Sequence, residues 1–235
     1  MNAHVQLYTT EASQAGSYIC GVKIREPEKA DFNQTFLVQL PLSTDKFNRA
    51  RAELITLQHI LLHANLFGLL SGASISITVS HGQCKKGIQR RSAMSQINQL
   101  GASLRMVLDN GSVEVNNRQP AWFEMTPTMT LKLSSLYFNT HLPVHGIMGE
   151  VKVTSHAVDQ MKAHSNGEVS FPLKAIKRLL NTTIHQVALP AHVMKAKLKK
   201  YGDNSQYWSS SNSDWVFVVA NNSVIVTCYR KDGVN

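Results

Sequence analysis

The chain has 235 residues, of which 43% are hydrophobic and 17% charged, a balance that suits a packed globule and excludes a disordered or low-complexity polymer. Its formal charge of +9 favours polyanionic partners, through phosphate neutralisation and counterion release. The opening MNAHVQLYTTEASQ has neither a basic n-region nor an apolar h-region, and no apolar run approaches the roughly 18 residues of a membrane span.

Cys20, Cys84 and Cys228 are odd in number and form no CxxC or Cys/His spacing, so a reducing compartment is the natural reading. The expectation is a cytoplasmic protein without membrane contact, bound metal or cofactor.

In chain order, VQLYTT at 5–10, YICGVKIR at 18–25 and FLVQLPL at 36–42 read as strands. From Phe47 to Leu70, apolar residues such as Ala52, Ile55, Ile60 and Leu61 recur at helical spacing, and Gly68 marks the end of a helix of about four turns. SISITVS at 74–80 alternates as a strand, and the basic segment HGQCKKGIQRR follows as a turn. A second helix is expected over 92–108, then the turn DNG and the strand-like SVEVNN. Residues 128–138 are strand-like between prolines, and the domain boundary is placed at 147/148.

Beyond it, Ser155 opens one helix and Pro172 sits in the first turn of another, FPLKAIKRLLN. A basic stretch HVMKAKLKKYG precedes two strands at 214–220 and 223–230, joined at Asn221 and Asn222, residues that tolerate the positive φ of a tight turn. Residues 151–235 hold eleven Lys/Arg against five Asp/Glu, a net of +6, so the C-terminal part carries most of the excess charge.

The segments VTSHAVDQMKAH, KAIKRLL and WVFVVANNSVIVTCYR together resemble the small RNase-like domains of the RelE, barnase and colicin type found in toxins and mobile elements. That resemblance covers about 80 residues of the chain and implies two helices before an antiparallel sheet, with a helix-start histidine and sheet residues cleaving RNA. Gln160 and His164 stand where related domains often carry arginine. More faintly, YTTEAS, SYICGVKI, NRARAELITLQHIL and ISITVSHGQ are similar in order to an RNase H-like fold. Glu53 stands at that family's helix glutamate, Thr10 or Glu11 at its first-strand aspartate and Val79 at its fourth-strand aspartate. Two-metal phosphodiester chemistry needs several carboxylates around its ions, so this half is expected to be a binding or docking platform. The expected fold class is therefore α+β: an RNase H-like α/β domain over 1–147, its catalytic set degenerate, then a two-helix plus antiparallel-sheet domain over 148–235.

Metal-independent RNA cleavage needs a base for the 2′-hydroxyl, an acid for the leaving oxygen and cations around the phosphate. His156 titrates near neutrality and suits the acid/base role; it equally suits a helix-start histidine bonded to backbone. Thr227, Tyr229 and Arg230 share the last strand, with Thr227 and Tyr229 on one face by alternation; Tyr229 also suits the edge of a core. Lys162 would hold phosphate. Lys195, Lys197, Lys199 and Lys200, followed by Tyr201, Tyr207 and Trp208, interleave cations with rings as a single-strand RNA site does, and a solvated helix face would carry the same lysines. Lys85, Lys86, Arg90 and Arg91 form a second basic patch, on the loop after a strand. His59 and His63 lie at i and i+4, a metal-binding spacing, but with no third ligand in the sequence they are read as unliganded.

Three readings follow: the first is a metal-independent endoribonuclease from a phage or other mobile element, and the second a non-catalytic protein that binds RNA, a ribosome, a host ribonuclease or another host RNA-processing protein. A protein-binding inhibitor is the third.

Overall fold

The computed structural model describes residues 2–41, 46–64, 74–108, 113–147, 149–188, 195, 199, 205–220 and 223–231. The chain divides into two compact units, 1–139 and 140–235. This division falls eight residues before the expected 147/148, because the strand His141–Gly146 pairs with Gly149–Thr154 and so belongs to the second sheet. Among the described residues no helix is long and apolar enough to cross a membrane.

In the first unit, β1 (Asn2–Glu11), β2 (Ser17–Arg25) and β3 (Phe32–Gln39) form an antiparallel meander. Alternation sets the faces: Ala3, Val5, Leu7 and Thr9 are buried, while His4, Gln6, Tyr8 and Thr10 are only half-buried. The helix α1 (Asn48–Gln58) follows, buried at every position from Ala52 to Gln58. A helix enclosed on all sides belongs to the middle of a core. It passes into a π-helical turn, His59–His63, the two together making the helix of about four turns expected here; Gly68, the expected end signal, lies with residues 65–73 outside the described set.

Next, β4 (Ser74–Val79) runs parallel to β1, and after α2 (Gly82–Ile88) and α3 (Ser95–Val107) the strand β5 (Val113–Val115) runs parallel to β4. The sheet closes its other edge with β6 (Met129–Lys132), parallel to β3, giving the order β5-β4-β1-β2-β3-β6. Three strands, a helix and a strand thus follow one another in chain order in this half. Gln58 fastens α1 beneath the other helices, its Nε2 donating to the carbonyls of Leu100 at 2.6 Å and Tyr137 at 2.8 Å. Gly87 and Gly101 let α2 and α3 touch backbone to backbone, since a Cβ on Gly101 would run into the Gly87 carbonyl.

The second unit holds β7 (His141–Gly146), β8 (Gly149–Thr154), α4 (Ser155–His164), α5 (Pro172–Leu180), β9 (Ile184–Gln186), β10 (Gln206–Ser210), β11 (Trp215–Ala220) and β12 (Val224–Arg230). Its order is β7-β8-β12-β11-β10-β9. The pairing of β8 with β12 is parallel, so the sheet is mixed where an antiparallel one was expected. Strand β11 is buried throughout, as a central strand covered on both faces must be. A bulge opposite Val218 and Val219 shifts the register, which keeps Ile225 and Cys228, three residues apart, both buried. Thr154 caps α4, its hydroxyl accepting the Ala157 amide at 3.1 Å. The molecule as a whole is of mixed α/β class, with two mixed six-stranded sheets and five α-helices among the described residues.

Candidate nucleic-acid interface

Glu53 lies on α1 beside the end of β4. It is fully buried and accepts hydrogen bonds from the Ser80 amide at 2.5 Å, the His81 amide at 3.1 Å and the Cys84 thiol at 3.1 Å. Burial pushes its carboxyl above the usual glutamate range, and the three donors pull it partly back. Glu53 thus joins the end of β4 to the start of α2.

The β1 residue on this face is Thr9, not the expected Thr10. Its amide donates to Ser80 Oγ at 3.2 Å, its hydroxyl to Cys20 Sγ at 3.3 Å, and its carbonyl accepts Arg49 Nη2 at 2.5 Å. Thr10 lies on the opposite face, Glu11 is exposed at the strand end, and Val79 is buried hydrocarbon. The resemblance drawn from the sequence would imply a pair of divalent cations, and these residues do not fit them: the Glu53 carboxylate is enclosed by protein donors, and Thr9 and Val79 carry no carboxylate.

The patch Lys85, Lys86, Arg90 and Arg91 was expected on a loop. Lys85 and Lys86 instead lie on α2, and Arg90 and Arg91 follow its end, Arg90 with φ 58°. The helix forms because His81 caps it, Nδ1 accepting the Gln83 amide at 3.2 Å, while Cys84 and Ile88 plug into the core. Burial, and to a lesser degree the Arg49 charge, hold the His81 imidazole below its ordinary pKa. Lys86, Arg90 and Arg91 are exposed and Lys85 half-buried.

In the second unit the proposed catalytic residues are not gathered. Cys228 on β12 donates to the Ala157 carbonyl at 3.3 Å, so its face of the sheet is the one α4 covers, and His156 is exposed on that helix. Thr227 and Tyr229 alternate with Cys228 and point to the opposite face, where Tyr229 packs with Tyr207, Val216 and Val218. The sheet stands between His156 and those two side chains. Burial raises the Tyr229 phenol, leaving it protonated. Arg230 is engaged with Glu168 at 2.6 Å and lies 5.7 Å from the Trp215 ring centroid.

The proposed cation–aromatic cluster also divides. Tyr207 and Trp208 are consecutive on β10 and face opposite ways; Tyr207 is 5% exposed and belongs to a core, and Trp208 is half-buried with Nε1 on Gln206 at 3.1 Å. Lys195 and Lys199 are exposed and helical, and Lys162 is exposed on α4; Lys197, Lys200 and Tyr201 lie outside the described residues. His59 and His63 are ring neighbours of Phe36 and Tyr137, and burial holds both imidazoles below their ordinary pKa.

Sequence reasoning missed the basic face of α5. Leu173, Ile176, Leu179 and Leu180 are buried, while Lys174 and Arg178 are exposed and Lys177 is half-buried. The signal was present in PLKAIKRLL, whose apolar residues recur every three or four positions and leave cations between them.

No family model matches the chain, and no curated protein matches it. Among solved structures, it is similar to RNase H1 from the halophilic archaeon Halobacterium salinarum NRC-1, at 9% identity and a TM-score of 0.32, over 59% of this chain and 89% of that one.

Proposed function

We propose that this protein binds RNA through basic helical surfaces and does not cleave it. The observation that carries the reading is α5: its nine residues hold three cations and no acidic side chain, and its buried apolar stripe aims those cations outward. Rigid spacing of cations along a helix suits the regular spacing of backbone phosphates. Lys86 on α2, with Arg90 and Arg91 just after it, supplies a second cationic surface in the first unit. The separation of His156 from Thr227 and Tyr229 favours binding over the ribonuclease reading, because general acid/base catalysis requires groups within hydrogen-bond reach of one phosphodiester.

The test is fluorescence anisotropy of labelled single-stranded and hairpin RNAs across a salt series. Affinity should fall linearly with salt on logarithmic axes, and replacing Lys174, Lys177 and Arg178 with glutamine should reduce the single-strand slope by roughly 2, at about 0.7 per phosphate contact. A slope that the triple variant leaves unchanged would remove α5 from the interface.

A further inference from the structure

At the carboxyl ends of the parallel strands β1 and β4, a guanidinium and an imidazole lie close together. Arg49, in the first turn of α1, is half-buried, and its Nη2 donates to the carbonyl of Thr9, near the end of β1, at 2.5 Å. The Thr9 amide donates to Ser80 Oγ at 3.2 Å, and the next residue is His81, close enough for the Arg49 charge to act on its ring. Glu53, one helical turn from Arg49, does not neutralise it. Both Glu53 oxygens are taken by the Ser80 amide, the His81 amide and the Cys84 thiol, and burial favours the protonated carboxyl. Among the described residues Arg49 forms no ion pair, and its Nε is enclosed without a partner. A guanidinium drawn partly out of water in this way calls for an anion.

Both side chains are held before any ligand arrives. His81 Nδ1 accepts the Gln83 amide at 3.2 Å, so in the neutral ring the proton sits on Nε2, a donor that meets no partner among the described residues. On Arg49 the open donor is Nη1. The side-on fork of Nε and Nη2, a usual grip on a planar carboxylate, is closed by burial at Nε and by the Thr9 carbonyl at Nη2. Single donors arriving from two elements suit an anion whose oxygens point in several directions, which is the geometry of phosphate. The carboxyl ends of parallel strands are also where open α/β sheets take their ligands. We infer that Arg49 and His81 form a seat for one phosphate group at the carboxyl ends of β1 and β4.

The inference deepens the RNA-binding reading by giving the first unit a defined phosphate contact, and it rests on that reading only for the source of the phosphate. The probe is sodium phosphate, titrated into the isotopically labelled full chain at constant ionic strength and followed by amide chemical shifts. Saturable shifts should centre on Thr9, Ser80 and His81, and acetate, a planar anion, should leave these amides in place. Arg49→Gln and His81→Asn, the latter retaining a capping side chain for α2, should each weaken phosphate binding by at least about tenfold, as loss of a hydrogen bond to a charged group does. The absence of saturable shifts at these amides in the parent, or acetate bound as tightly as phosphate, would overturn the inference whether or not the variants fold. Parental phosphate affinity in both folded variants would overturn it as well. Displacement of phosphate by the dinucleoside monophosphate UpU would put an RNA backbone diester in the seat, and displacement by uridine monophosphate alone would put a terminal or free phosphate there; both retain the site. Phosphate bound at these amides with no RNA binding defeats the RNA-binding reading alone, and salt-sensitive RNA binding with no phosphate shift at them defeats this inference alone.

Discussion

The Cys84 thiol donates to Glu53 Oε2 at 3.1 Å, and the same oxygen accepts the His81 amide at 3.1 Å. With the Ser80 amide on the other oxygen, the carboxylate closes the junction where β4 becomes α2. An orphaned buried donor costs about 1–3 kcal/mol, so Glu53→Ala, which strands several, should lose about 3 kcal/mol. Urea unfolding would show this as a lower midpoint with unchanged slope. An unaltered midpoint would mean that Glu53 is not a structural anchor.

Burial also gives Glu53 a pH signature. Its folded carboxyl is held above the ordinary value, so the folded state keeps a proton that the unfolded chain releases first. Stability therefore falls as pH rises from about 4.3 to the raised folded value, and is flat beyond it. Glu53→Gln should erase this slope, which midpoints measured in steps of pH will show.

His59 and His63 act in the other direction. Burial depresses both imidazoles, and for His59 the neighbouring His63 charge adds to the effect. Their contribution is fully present above the ordinary histidine pKa of about 6.5 and is lost as pH falls through the depressed folded values. A His59→Gln, His63→Gln double variant should lose less stability than the parent on acidification below that point, as thermal unfolding at matched pH would show.

The contact of α2 with α3 predicts a contrast between two glycines. A Cβ on Gly101 meets the backbone of Gly87, which cannot move aside as a side chain would, whereas a Cβ on Gly82 meets nothing within 4 Å. Gly101→Ala should therefore destabilise by about 2 kcal/mol despite alanine's better helix propensity. Gly82→Ala should be neutral or slightly stabilising. Equal melting temperatures for the two variants would contradict the packing described.

Much of the fold was legible because local periodicity and burial agree. The alternation in VQLYTT and SISITV and the spacing in PLKAIKRLL each mark a face that the core then buries. Elsewhere a tertiary partner decided. HGQCKKGIQRR reads as a basic turn, yet becomes a helix because His81 caps it and Glu53 holds its first turn from a distant part of the chain. Tyr207 and Trp208 read as a surface pair beside lysines, yet β10 sends one of them into a core. The parallel pairing of β8 with β12 joins residues more than 70 positions apart, beyond the reach of local pattern. The same long-range choice puts Thr227 and Tyr229 on the face away from His156.

The most direct test of the central claim is to incubate the protein with labelled single-stranded and hairpin RNAs, in EDTA and separately in magnesium, and to resolve the RNA on native and denaturing gels. The account predicts retarded RNA on the native gel and full-length RNA on the denaturing one, identically for the parent and for His156→Ala. Fragments produced by the parent and abolished in His156→Ala would contradict it, and would show that His156 reaches a scissile phosphate.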